Sequence, residues 1–103
     1  CRNCSGAPRW LTHLANGDDL DDSYTARQLA QMRRFAGPGA VISSANSAGI
    51  LGWPASHGDW VRPGIMLYGV SPFIGEHGPE RNLRPAMSLE ARLISVSART
   101  YST

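Results

Sequence analysis

Twice within residues 41–71 a short apolar stretch runs straight into small residues able to open a helix, and this doubled pattern constrains the chain most. The first instance is Val41-Ile42 leading into Asn46-Ser47-Ala48-Gly49. The second is Trp60-Val61 leading into Arg62-Pro63-Gly64-Ile65. A helix start leaves backbone N–H groups unbonded and carries the positive end of the helix dipole. Two such starts in series suit a phosphate held at the tops of adjacent βα units. Arg62, inside the second turn, is placed to address the body of a phosphorylated ligand.

The 103 residues allow at most one small domain, one that buries only somewhat more than ~60% of its unfolded surface. A hydrophobic content of 42% argues against disorder. The net charge of +2 is small and the arginines are scattered, so no nucleic-acid partner is expected. No apolar run approaches the ~20 residues of a membrane span. The chain begins at Cys1 without Met or a signal peptide, which reads as an internal piece of a longer protein. Cys1 and Cys4 form a C-x-x-C. A zinc site needs a second ligand pair, and a thioredoxin-like motif needs a following helix, which Gly6 and Pro8 discourage. Plain thiols in a reducing cytoplasm are the expectation. All ten basic residues are arginine, so no Schiff-base lysine can come from this segment.

Along the chain, residues 10–14 read as a buried strand ending near His13, followed by a polar turn with four aspartates, Asp18, Asp19, Asp21 and Asp22. That turn lacks the glycine and terminal glutamate of a calcium loop and reads as a solvated, helix-capping segment. Ser23 or Asp22 can cap a helix whose Leu29, Met32, Arg33 and Phe35 fall on one face, and Gly37-Pro38-Gly39 stops it. A second strand covers 40–44, a short helix 47–51 and a loop 52–59. A very short third strand, Trp60-Val61, is followed by one apolar turn at 65–68. After a Gly/Pro-rich loop, 72–85, residues 87–101 alternate with period two, as a strand does. The order is that of the tail of a parallel α/β unit followed by the start of a β-rich one.

Four motifs in register resemble the alanine racemase family: T-H-L-A-N at 12–16, A-N-S-A-G-I-L at 45–51, W-V-R-P-G-I-x-L-Y-G at 60–69, and L-R-P-A-M-S-L at 83–89. The resemblance covers about Trp10 to Val96. It implies a pyridoxal 5'-phosphate enzyme, a homodimer, with an N-terminal (β/α)8 barrel of TIM type and a C-terminal β domain. This segment would supply the last three or so barrel strands in residues 1–84 and the start of the β domain, its first strand, in 85–103. It implies that Ser47 binds the cofactor phosphate through its hydroxyl and backbone, with backbone N–H groups of Gly64 and Ile65 on the same phosphate. Arg62 would face the pyridine nitrogen, His13 would lie beside the ring, Asn46 would shape the phosphate loop, and Asp18 would stand at the substrate entrance. The implied activity is the interconversion of L- and D-alanine, supplying D-alanine for peptidoglycan.

The segment departs from the family pattern in what it lacks. The family's Schiff-base lysine and its catalytic tyrosine have no counterpart here: there is no lysine, and Tyr101 lacks that tyrosine's glycine-rich setting. Residues 1–9 also lack the apolar run expected before the His13 strand. No catalytic residue and no metal ligand is therefore assigned. Arg62 alternatively pairs with Asp59 as a structural ion pair, Ser47 and Gly64 serve only capping and turn geometry, and His13 is a satisfied core histidine. At the level of the protein, the alternatives are another enzyme on the same barrel, such as a broader racemase or a decarboxylase, and a non-catalytic phosphate-binding piece. Decarboxylases of that fold set a carboxylate at the pyridine nitrogen, so an arginine there argues against them.

Overall fold

Two three-residue strands pair in parallel and set the frame on which everything else hangs. Strand β1, Arg9–Leu11, lies beside β2, Val41–Ser43, with Arg9 opposite Val41, Trp10 opposite Ile42 and Leu11 opposite Ser43. The computed structural model describes residues 6–98, so Cys1, Cys4 and Tyr101 lie outside the described residues. The crossover between the strands is helix α1, Tyr24–Ala36, and β2 runs on into the short helix α2, Ser47–Gly52. Single 3-10 turns follow at Pro54–Ser56, Ile65–Leu67 and Gly78–Arg81. Among the described residues no helix is long and apolar enough to cross a membrane.

The strand expected over 10–14 stops at Leu11 for a hydrogen-bonding reason. Thr12 N still donates to Ser43 O at 3.1 Å, but the carbonyls of Thr12 and His13 are taken by side chains, Arg62 and Gln28. The third strand, Trp60-Val61, is reduced to one parallel bridge, Ser43 to Trp60. Beside it Asp59 imitates a strand residue: its N–H donates to Ile42 O at 2.9 Å and its Oδ2 accepts from Ile42 N at 2.8 Å. Asp59 is thereby occupied with the backbone and is not the partner of Arg62.

Asp22, not Ser23, supplies the side-chain oxygen at the start of α1, accepting from Tyr24 N at 2.9 Å, while Ser23 makes no capping bond. Gly37, at φ 80°, closes the helix with its N–H on Arg33 O. Of the expected apolar face, Leu29 is buried and Met32 half-buried, but Phe35 is 67% exposed. The buried apolar residues are Leu14, Leu29, Ala45, Ala48 and Phe73, a small core between α1, α2 and the loops above the strands. Trp60, Val61 and Leu11 stay largely exposed on the strand side.

Within the described part of the period-two stretch, residues 87–98, no regular structure forms, and Leu89 and Ile94 are almost wholly exposed. Just before it stand an antiparallel bridge, Tyr68 to Pro85, and a bond from Ala86 N to Leu67 O at 2.7 Å. A strand needs a partner for its N–H and C=O groups, and no second β strand of that kind exists among the described residues. This extended stretch lifts the radius of gyration to 20.1 Å, against about 13 Å for a compact chain of 100 residues.

The loop at 71–83 is organised by one ion pair. Glu76 accepts from Arg81 Nε at 2.5 Å and from Nη2 at 2.7 Å, and the guanidinium lies 4.6 Å over the ring of buried Phe73. That contact holds the Glu76 carboxyl below its ordinary value. A depressed carboxylate stabilises the folded loop above its unfolded pKa, and the contribution is lost as pH falls through the folded value. Both partners are substantially exposed, so the effect on global stability is small. In Arg81→Gln, the midpoint of the Glu76 side-chain carboxyl carbon followed by NMR should rise toward the ordinary range; an unmoved midpoint would show that Arg81 is not the cause.

Gly58 is fixed by geometry. Its φ is +57°, and an added Cβ would sit 2.6 Å from Ile42 O, against the backbone of β2. Gly58→Ala should therefore lower unfolding free energy by about 1–3 kcal/mol, read from a denaturant melt.

Candidate functional site

The two strand-to-turn segments meet as adjacent parallel ends. Beyond the Ser43–Trp60 bridge, Arg62 N donates to Ala45 O at 2.9 Å and Gly64 N to the Ser47 hydroxyl at 2.9 Å; Met66 N reaches the same hydroxyl at 3.3 Å. Ser47 opens α2 behind Asn46, whose Oδ1 accepts from Gly49 N at 2.9 Å in the manner of an N-cap. The backbone N–H groups of Ser47, Ala48 and Ile65 have no protein acceptor among the described residues. Ser47, Ala48 and Ile65 all line one hollow, and Ser47 is buried.

That hollow has a volume of about 360 Å³. His13, Asp18, Asn46, Ser47, Arg62, Gly64 and Ile65, all the site residues named from the sequence, line it. Leu14, Gly17, Ala48 and Pro72 complete its walls.

Arg62 crosses behind the strand ends and is half-buried. Its Nη1 donates to Ser43 O at 3.0 Å and Ser43 Oγ at 2.6 Å, and its Nη2 donates to Thr12 O at 2.8 Å. Three of the five guanidinium donors are thus fixed on backbone and hydroxyl oxygens. Among the described residues no carboxylate pairs with Arg62, whose guanidinium stands at the wall of the hollow.

His13 sits across from α2. Since Asn46 Oδ1 is committed to the cap, its Nδ2 is the atom facing His13 Nε2 at 3.3 Å, so the imidazole accepts there. One asparagine therefore joins the phosphate-type turn to the histidine. Asp18 is exposed at the rim.

At Gly64 the space in front of Ser47 is open: an added Cβ would meet only Ser47 Oγ, at 3.8 Å. A side chain there would fill part of the space over the Ser47 hydroxyl.

Several supporting residues were not visible in the sequence. Gln28 on α1 donates to His13 O at 2.6 Å and to Thr12 Oγ1 at 3.2 Å, and accepts from Ala15 N at 3.1 Å. Trp53 donates its indole N–H to Gly17 O at 2.9 Å, and fully buried Thr25 donates to Asn16 O at 3.1 Å. Ser43 orients Arg62. These are polar residues separated by 9 to 36 positions from their partners in sequence, and no local pattern announces such pairs. His57 is half-buried, with Nε2 at 3.0 Å from Ile50 O.

Residues 9–72 match the family described as alanine racemase, N-terminal domain. An alanine racemase of Halorhodospira halophila is 53% identical over 88 residues, 84% of this chain and 24% of its own length. One of Shewanella baltica is 47% identical over 97 residues, 93% of this chain and 27% of its own. The chain spans about a quarter of the length of the curated relatives it matches. Among solved structures, the biosynthetic alanine racemase of Pseudomonas aeruginosa superposes with a TM-score of 0.67 at 38% identity, covering 73% of this chain and 21% of that one. The alanine racemase of Bartonella henselae with covalently bound pyridoxal phosphate superposes with a TM-score of 0.57 at 45% identity, covering 62% of this chain and 20% of that one.

Proposed function

Because the chain belongs to the alanine racemase family, through the N-terminal domain matched by its residues 9–72, we propose that it is the phosphate- and ring-binding segment of a pyridoxal-phosphate-dependent alanine racemase. In this reading residues 1–84 are the last three or so strands of a (β/α)8 barrel and residues 85–103 begin the C-terminal β domain. The full-length enzyme interconverts L- and D-alanine in the cytoplasm as a homodimer, with no nucleic-acid or membrane partner. The observation that carries the reading is the convergence of Ser47, Gly64 and Ile65 on one hollow beside an uncompensated arginine.

The residues present suit the cofactor. A phosphate is bound well by several N–H donors at a turn, and the Ser47, Ala48 and Ile65 amides are free for it. Gly64 leaves the space over Ser47 open. Ser47 Oγ, which now gathers the Gly64 and Met66 amides, can donate its own proton to a phosphate oxygen. When bound, pyridoxal phosphate supplies an electron-withdrawing ring that makes the substrate Cα–H acidic.

The part played by this chain is to bind the phosphate and to tune the ring. Arg62 has its Nε–H and one Nη2–H left over once Thr12 and Ser43 are served. An arginine keeps its own proton, so a ring nitrogen facing it stays unprotonated and the ring withdraws electrons less strongly. By keeping a proton off the ring nitrogen, Arg62 would favour return of a proton to Cα, and so racemisation over amino transfer. His13 walls one side of the ring, held by Asn46. The acid and base that move the Cα proton, a lysine and a tyrosine in the family, come from outside these residues.

Two substitutions in the full-length enzyme test the reading. In Gly64→Val the side chain occupies the space over Ser47 Oγ, and pyridoxal phosphate binding should weaken by on the order of 100-fold in a fluorescence titration, with the melting temperature measured beside it to separate lost binding from lost fold. Unchanged cofactor affinity would remove the phosphate from this hollow. Arg62→Glu should slow D-alanine formation and raise the yield of pyruvate relative to D-alanine, because a carboxylate favours a protonated ring nitrogen. If neither rate moves, Arg62 is not at the ring nitrogen.

A further inference from the structure

Helix α1 contributes no residue to the walls of the hollow, yet its half-buried Gln28 is bonded to the wall that carries His13. The carboxamide uses both ends. Nε2 donates to His13 O and to Thr12 Oγ1, and Oε1 accepts from Ala15 N, so three successive-neighbour groups of the 12–15 segment are gathered on one side chain. This segment follows a strand that has already ended, so backbone pairing does not fix it beyond Thr12. Two site residues depend on it. His13 faces Asn46 at 3.3 Å, and the Thr12 carbonyl is the acceptor that holds Arg62 Nη2 at 2.8 Å.

We infer that Gln28 is a positioning residue for the cofactor ring, fixing the 12–15 segment so that His13 and Arg62 address the ring from set places. The inference rests on the proposed function for its catalytic consequence, though not for the clamp itself. Both arms are needed. The donor arm holds the His13 carbonyl and the Thr12 hydroxyl, and the acceptor arm holds the Ala15 N–H. A leucine of similar volume removes both, while a glutamate keeps an acceptor for Ala15 N and sets a second carboxylate oxygen against His13 O. Gln31, exposed on the same helix, serves as the control position.

The clamp is read first without any reaction, on the cofactor-free full-length protein. In Gln28→Leu the Ala15 amide should lose protection from hydrogen exchange, and the Arg62 Nη protons, slowed in the wild type by Thr12 and Ser43, should exchange faster. In Gln28→Glu the Ala15 amide should stay protected while the Arg62 protons exchange faster. Gln31→Leu should change neither. In the loaded enzyme Gln28→Leu and Gln28→Glu should both lower kcat on the order of 10- to 100-fold, the scale of a small misplacement at a reacting centre, with KM for alanine within about twofold. Both should also raise the ratio of pyruvate to D-alanine, with melting temperatures near that of Gln31→Leu. A purely structural role would lower the melting temperature and kcat together and leave that ratio alone, which overturns the inference. So would unchanged Arg62 exchange in Gln28→Leu, or a Gln28→Glu enzyme with wild-type kcat and product ratio. If the exchange results appear as expected but the wild-type enzyme forms no D-alanine, the clamp stands and the functional reading falls.

Discussion

The Arg62 guanidinium is the joint of this structure. It lies where β1, β2 and the remnant of a third strand end together, and its three hydrogen bonds reach Thr12 on the first and Ser43 on the second. A sheet of two three-residue strands has little hydrogen bonding of its own, so a side chain that ties three strand ends matters more than it would in a wide sheet. Each acceptor is a carbonyl or a hydroxyl, not a carboxylate. The charge is therefore solvated by dipoles and stays available, which would not hold had Asp59 paired with it. Instead Asp59 is spent on both polar groups of Ile42.

The polar framework around that joint is continuous. Gln28 leads to Thr12 and His13, Thr12 to Arg62, Arg62 to Ser43, and His13 to Asn46, which caps α2 over Ser47. Groups in such a network constrain one another's geometry, since moving one leaves another unpaired. The hollow is thus held by side chains on elements that do not line it. Trp53 and Thr25 extend the same logic to Gly17 and Asn16 at the rim.

What the sequence disclosed and what it withheld follow from range. A helix opening within residues 46–49 and Gly37 closing α1 are local matters, decided within four residues, and both were legible; that Asn46 and not Ser47 is the cap was not. So was the meeting of Ser47 with Gly64, because small residues after two apolar stretches leave few alternatives. The site residues then emerged in one hollow, as the motifs had suggested. Strand lengths were not legible. β1 is cut at Leu11 by side chains from residues 28 and 62, and the third strand is cut to a bridge beside Asp59. Nor was the fate of Phe35 or of residues 87–98, whose apolar pattern presupposes surfaces that the described residues do not supply.

The contrast between those exposed apolar faces and the completed polar site has a physical basis. Apolar burial is roughly proportional to area and needs whole opposing layers, so strands whose Trp60, Leu11 and Val61 face open space leave it unfinished. Hydrogen bonds saturate with one partner each, and every partner that Asn46, Ser47 and Arg62 need lies between Thr12 and Met66. The hollow is therefore specified by a stretch far shorter than the one that would bury its scaffold.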